Sequence, residues 1–235
     1  MNLFVGTSGY SYKEWKGNFY PEDLPAKGML AYYAQRLPAV EVNNTFYRLP
    51  QAAMVENWKE QVPQSFRFSI KATQRITHIK RLKNCAEETQ YLMETAALLG
   101  ERLGVVLFQL PPNSKKDAER LSDFLECLPS STRAAFEFRH ESWLDDEISN
   151  LLRKKNCSLV VSDTDEKPLS SIAATADWGY LRLRRTAYSD DDLKSWMQRV
   201  KEQKWKDAFV FFKHEDEGVG PKLAAQFLAL SEPPA

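Results

Sequence analysis

Apolar and polar residues alternate strictly in a series of short runs. Between them lie longer stretches in which apolar residues recur every three or four positions. The first pattern fits strands with one face buried and the second fits amphipathic helices. The short runs predict strands over Leu3–Gly6, Val40–Asn43, Phe66–Lys71, Val105–Gln109, Ala134–Arg139, Ser158–Ser162, Gly179–Arg184 and Ala208–Phe212. Helical periodicity marks Met29–Leu37, Ala52–Gln61, Ala86–Arg102, Lys116–Leu128, Trp143–Lys155, Asp191–Gln203 and Lys222–Leu230. Such alternation builds βαβ units and a parallel sheet, and eight strands in one uninterrupted series close into a (β/α)8 TIM barrel. The expectation is a single α/β domain over residues 1–235. The pattern is weakest between Asp163 and Gly179, where only a short helix around Pro168–Ala174 fits, and Pro233-Pro234 reads as a frayed tail. Helix starts are marked by Asn84 before Glu87, Ser114 before Asp117 and Ser189 before Asp192, and Pro221 suits the first turn of the last helix.

The alternation also sorts the strand residues by face. Phe66, Phe68 and Ile70 oppose Arg67, Ser69 and Lys71; Phe136 and Phe138 oppose Glu137 and Arg139; Leu181 and Leu183 oppose Tyr180, Arg182 and Arg184; Val40 and Val42 oppose Glu41 and Asn43. In a barrel the outer face must pack on the helices, so the apolar set points outward. Glu41, Asn43, Lys71, Glu137, Arg139, Arg182 and Arg184 are thereby aimed inward, mostly near the C-terminal strand ends where barrel enzymes hold their sites. Charges inside a protein are costly unless paired or solvated. An internal salt-bridge network accounts for part of this set. The basic residues, with Lys213 as a further candidate, still outnumber the acidic ones, to which Asp163 could be added. The surplus predicts a pocket for a small anion, because Arg forks match carboxylate and phosphate.

Composition narrows the partners. Hydrophobic residues make up 43% and charged residues 27%, a globular balance, and 32 basic residues match 32 acidic ones. Zero net charge disfavours extended contact with a phosphate backbone but permits a local cationic pocket. No apolar run is long enough for a membrane span, and no signal-peptide pattern opens the chain, so a soluble, cytoplasmic protein is expected. Cys85, Cys127 and Cys157 are isolated and odd in number, which reads as reduced thiols rather than a disulfide framework.

Other features are ambiguous. Gly6-Thr7-Ser8-Gly9 could offer backbone N–H groups to an anion, though a tight turn explains it equally. Tyr10, Tyr12, Trp15, Phe19, Tyr20, Phe46, Tyr47 and Trp143 could stack on a planar ligand, but covering the mouth as a minor core is the simpler role. His140 and His214 follow strands and can join the pocket, whereas His78 reads as part of a solvated basic loop with Arg75, Lys80, Arg81 and Lys83. Glu41, Glu137, Asp163 and His214 could together hold a metal, yet no HxH or HExxH spacing supports it and nearby cations oppose it. Neither metal nor cofactor is expected.

Several blocks carry a resemblance. GTSGYSYKEWKGNFYP (Gly6–Pro21), EVNNTFYRLP (Glu41–Pro50), FSIKATQRITH (Phe68–His78), LFQLPPN (Leu107–Asn113), FEFRHESW (Phe136–Trp143) and YLRLR (Tyr180–Arg184) resemble the YecE-like family, domain of unknown function seventy-two. The resemblance runs from the first strand to near the C-terminus. It implies a TIM barrel and no particular reaction. Matching positions include Glu41, Asn43, Asn44, Lys71, Gln109, Glu137, Arg139, His140, Trp143, Arg182 and Arg184. FFKHEDEG (Phe211–Gly218) departs from the asparagine pair expected in relatives, which puts roles for Lys213 and His214 in doubt.

The leading expectation is an enzyme acting on a small phosphorylated or carboxylated metabolite. Lys71, Arg139, Arg182 and Arg184 clamp the anion, Glu137 or Glu41 acts as general acid or base, and Asn43, Gln109, His140, Trp143 and Tyr10 complete the substrate site. Two alternatives stand beside it: a nucleic-acid-processing protein gripping one nucleotide or strand end, and a non-catalytic ligand sensor. Oligomeric state is left open.

Overall fold

The computed structural model describes residues 1–166, 172–214 and 216–231. Within them the strands are β1 (Asn2–Ser8), β2 (Ala39–Val42), β3 (Arg67–Lys71), β4 (Leu103–Leu110), β5 (Ala134–Phe138), β6 (Ser158–Leu159), β7 (Val161–Asp163), β8 (Trp178–Leu183) and β9 (Asp207–Phe212). All neighbours are parallel, in the order β6-β5-β4-β3-β2-β1-β9-β8-β7. The two ends of that order, β6 and β7, are separated in the chain by Val160 alone, whose N–H donates to the Phe136 carbonyl at 2.9 Å. The sheet therefore comes full circle through one chain segment. What reads in the sequence as one strand, Ser158–Ser162, is divided between two partners: its first half pairs with β5 and its second with β8.

Helices α1 (Met29–Ala34), α2 (Ala52–Glu60), α3 (Ala86–Ala97), α4 (Ala118–Glu126), α5 (Asp146–Lys154), α6 (Asp190–Lys201) and α7 (Val219–Ala229) surround the sheet. Most of the helix expected at Pro168–Ala174 lies outside the described residues, and Ile172–Ala174 are not helical. Pro233-Pro234 also lie outside them. Ser189 and Asp192 form the full reciprocal capping box. The other two expected caps shift: Asp117, not Ser114, caps α4, and Cys85 rather than Asn84 precedes α3. Asn84 has φ +49°, a left-handed conformation incompatible with an N-cap.

Two separate cores bear out the sorting of strand faces. The outer one places Val40, Val42, Phe66, Phe68, Ile70, Phe136, Phe138, Leu181 and Leu183 against the helices. The inner one fills the barrel with Ala39, Val105, Leu107, Ala135, Trp178, Tyr180, Phe209 and Phe211, joined by Phe4. Below it, at the N-terminal strand ends, Asp207 pairs with Arg133 and accepts from Asn2 at 2.8 Å, while Arg133 and Arg67 lie over the rings of Trp178, Phe209 and Phe4. The base of the barrel is thus plugged by packed rings and paired charge, and polar groups above it can be reached only from the C-terminal mouth.

Entry of β1 into the cylinder depends on close approach. The Tyr33 hydroxyl sits between β1 and β2, accepting from the Thr7 N–H at 2.8 Å and donating to the Ala39 carbonyl at 2.9 Å. A Cβ on Gly6 would stand 1.8 Å from that same carbonyl oxygen. Because backbone cannot give way cheaply, Gly6→Ala is expected to lower unfolding free energy by roughly 3 kcal/mol, read from the urea midpoint. An unchanged midpoint would contradict this contact.

Candidate functional site

Three strands spaced around the cylinder meet at one guanidinium. Arg182 of β8 is 3% exposed and donates to Glu41 of β2 at 2.8 Å and to Glu137 of β5 at 2.5 Å. Each carboxylate is held by further donors. Glu41 accepts from Ser8 at 2.7 Å, from Asn43 at 3.2 Å and from the Tyr180 hydroxyl at 2.7 Å, and the Tyr180 oxygen in turn lies 2.6 Å from that of Ser69. Glu137 accepts from Gln109, its register neighbour on β4, at 2.7 Å. Both acids are buried. Burial alone would raise their pKa values, but Arg182 and its companion donors more than offset it. Glu41 falls below the ordinary carboxylate range, and Glu137, with Arg184 and Arg139 also near, falls to about 2. Burial opposes the charge on Arg182, yet the two acids raise its pKa above the ordinary arginine value. At neutral pH this layer is ionised throughout.

Above it the cations are less fully matched. Arg184 is 17% exposed and Arg139 is 38% exposed, so the mouth opens outward from the buried triad. Both reach the same carboxylate oxygen of Glu137, at 3.3 and 3.6 Å, and the Arg184 Nε is buried without a hydrogen-bond partner. The Asn43 Oδ1 is likewise a buried acceptor without a donor. Lys71 makes no ion pair among the described residues. Its ammonium lies 4.5 Å from the centroid of the Phe46 ring. Burial, with Arg182 adding repulsion, lowers its pKa to about 8.

Phe46, weighed in the sequence as a stacking ring or as cover for the mouth, and His78, read there as part of a solvated basic loop, both stand beside Lys71. Phe46 closes the turn Asn44–Phe46 after β2, and His78 sits in a π-helical turn, Arg75–Ile79, directly after β3. Their rings are 4.8 Å apart. The Thr77 hydroxyl lies 2.9 Å from His78 Nδ1 and 3.2 Å from the Thr73 carbonyl, which engages Nδ1 and orients the ring. Burial and the charges of Lys71, Arg139 and Arg81 lower the His78 pKa. Ser8, Ser69 and Tyr180 were also passed over as site residues, although strand alternation aims them inward.

Other expected residues lie elsewhere. Trp143 is fully buried in the outer layer, stacked on Phe138 at 4.5 Å and donating to the Ser114 carbonyl at 2.7 Å. Tyr10 packs with Tyr33, 6.4 Å between centroids, against the outer core. His140 caps the turn Glu141–Trp143 through Ser142. Asp163 faces Arg185, Tyr188 and Trp196 at 3.0 to 3.2 Å, and His214 meets the Arg185 carbonyl at 2.7 Å. The four groups considered for a metal therefore do not converge. No set of three His, Cys, Asp or Glu with metal-holding geometry occurs among the described residues.

A family model described as "Protein of unknown function DUF72" matches residues 4–234. The chain belongs to the DUF72 family. Among curated relatives, the UPF0759 protein YunF of Bacillus subtilis is 23% identical, covering 97% of this chain and 94% of its own length. The UPF0759 protein YecE of Escherichia coli is 28% identical over 69% of this chain and 59% of its own. The crystal structure of a DUF72 family protein from Thermotoga maritima superposes with a TM-score of 0.85 at 29% identity, covering 99% of this chain and all of that one. One from Enterococcus faecalis does so with 0.81 at 19% identity, over 99% and 96%. No helix among the described residues of this DUF72 chain is long and apolar enough to cross a membrane.

Two outcomes follow from the charge layout. Glu137 has its folded pKa depressed, so its contribution to stability is complete above about pH 4.5 and is lost as pH falls towards about 2. Glu137→Gln leaves three guanidinium groups short of a partner and should cost on the order of 3 kcal/mol at pH 7, measured by denaturant unfolding. A cost under about 1 kcal/mol would mean that the triad is not ionised. For Lys71 the sign is reversed: its ammonium opposes folding at all pH below about 8, and the penalty fades as pH rises towards 10.5. Lys71→Met should raise stability at pH 7 by on the order of 1–3 kcal/mol, with the gain shrinking by about pH 10. Equal gains at both pH values would rule this out.

Proposed function

We propose that this DUF72 protein is an enzyme that acts on a small phosphorylated or carboxylated metabolite held in the barrel mouth. The observation that carries the reading is the surplus of positive charge above the Arg182 triad. Arg139 and Arg184 share one oxygen of Glu137, and Lys71 has no carboxylate. An oxyanion reaching the Arg184 Nε would satisfy an otherwise orphaned buried donor and balance the surplus. The Asn43 Oδ1 offers an acceptor for a hydroxyl or protonated group of the same ligand. Glu41 and Glu137 serve here as anchors for Arg182 and not as proton carriers, since both stay ionised near neutrality. Proton transfer falls instead to Lys71, its pKa lowered to about 8, and to His78, whose lowered pKa leaves its imidazole neutral and able to accept a proton at pH 7. A bare anion sensor has no need of such groups beside its clamp.

Inorganic phosphate and a panel of phosphorylated and carboxylated metabolites are expected to raise Tm in a thermal-shift assay, with the effect weakening as salt rises. Arg184→Gln should weaken that binding about tenfold or more, the loss of roughly 1.5–3 kcal/mol expected for one charged hydrogen bond. If no anion of the panel moves Tm at low salt, the reading is wrong.

A further inference from the structure

The geometry points to Lys71 as a nucleophilic amine that forms an imine with the carbonyl carbon of an anionic aldehyde or ketone. This rests on the anion-site reading and names the substrate class within it. Lys71 ends β3 at the mouth, is only partly buried, and has neither an ion pair nor a hydrogen bond to its side chain among the described residues. A lysine kept only to grip an anion is served by a retained charge. This one is partly buried and faces repulsion from Arg182 and Arg139, which disfavour its charge despite the Phe46 ring beside it and cannot themselves form imines. Those guanidinium groups supply the grip, so the amine is free for chemistry.

Phe46 holds the second partner in place. Lys71 and His78 both approach its ring, at 4.5 and 4.8 Å, and the Thr77 hydroxyl engages His78 Nδ1; with the ring proton on Nδ1, Nε2 is the base of the proposed step. The step balances with these groups alone. The neutral amine adds to the carbonyl carbon, forming the C–N bond while the C=O π pair moves to oxygen. His78 Nε2 takes a proton from the adduct nitrogen and hands it to that oxygen. The nitrogen lone pair then closes the C=N bond, and the oxygen leaves with the second amine proton as water. The guanidinium groups hold the carboxylate or phosphate of the same substrate and stabilise the transient alkoxide.

The test traps the imine by reduction. Full-length protein is incubated with sodium cyanoborohydride and either pyruvate or glyceraldehyde 3-phosphate, and modified lysines are mapped by mass spectrometry. The side chain of Lys194, 63% exposed, serves as an internal reference. Lys71 should be modified at least tenfold faster than Lys194 with one of the probes. Its modification should be suppressed by excess phosphate and should rise with pH through about 8. Lys71→Arg should abolish the adduct while still binding phosphate, and His78→Gln should slow adduct formation without weakening phosphate binding. Modification of Lys71 no faster than Lys194 with both probes overturns the inference. Phosphate binding is measured separately, so loss of the imine with phosphate still bound leaves the anion site standing, whereas absence of phosphate binding removes the site itself.

Discussion

A guanidinium shut inside a protein needs partners, and Arg182 finds them for both terminal nitrogens on separate walls of the barrel, its buried Nε remaining without a hydrogen bond. Its carboxylate partners come from β2 and β5, and it stands on β8 itself. In the closed order these strands lie two or three places apart, so the triad spans the lumen at near-thirds. Desolvating three charges is expensive, and the arrangement holds only because Ser8, Asn43, Tyr180 and Gln109 occupy carboxylate lone pairs that Arg182 leaves unused. The apolar core supplies bulk cohesion. The triad sets which strands stand opposite one another at the depth where the pocket begins.

The same triad shapes the chemistry above it. Arg182 and the Tyr180 hydroxyl take up the two oxygens of Glu41 and Arg182 one of Glu137, which leaves a single carboxylate oxygen for two further arginines and none for Lys71. The mouth is therefore cationic even though the chain as a whole is neutral. Burial lowers the pKa values of Lys71 and His78, and repulsion adds to it, from Arg182 at Lys71 and from Lys71 at His78. Acids that look catalytic by residue type are locked in place, and the titratable pair stands one layer higher.

Much of this was legible in the chain because strand alternation is a strict geometric rule. Glu41, Lys71, Glu137 and Arg182 could be aimed inward from their apolar neighbours alone, and the closed sheet follows from the count of strands. The residues that escaped are those governed by turns. His78 lies in a π-helical turn that brings it back over Phe46, and no local periodicity encodes that return. Trp143 failed the opposite way: it follows a charged strand end, but its indole is claimed by Phe138 and the Ser114 carbonyl. The break at Val160 was invisible for a similar reason, since pairing with two different neighbours leaves no mark in the residue pattern.

The plugged base has a kinetic corollary. With Arg133, Asp207, Trp178 and Phe209 closing the far end, the lumen has no through-passage, and whatever enters leaves by the same doorway. For the proposed enzyme, departing and arriving molecules would compete for that one opening. Its turnover would then be bounded by the rate at which that shared exit empties.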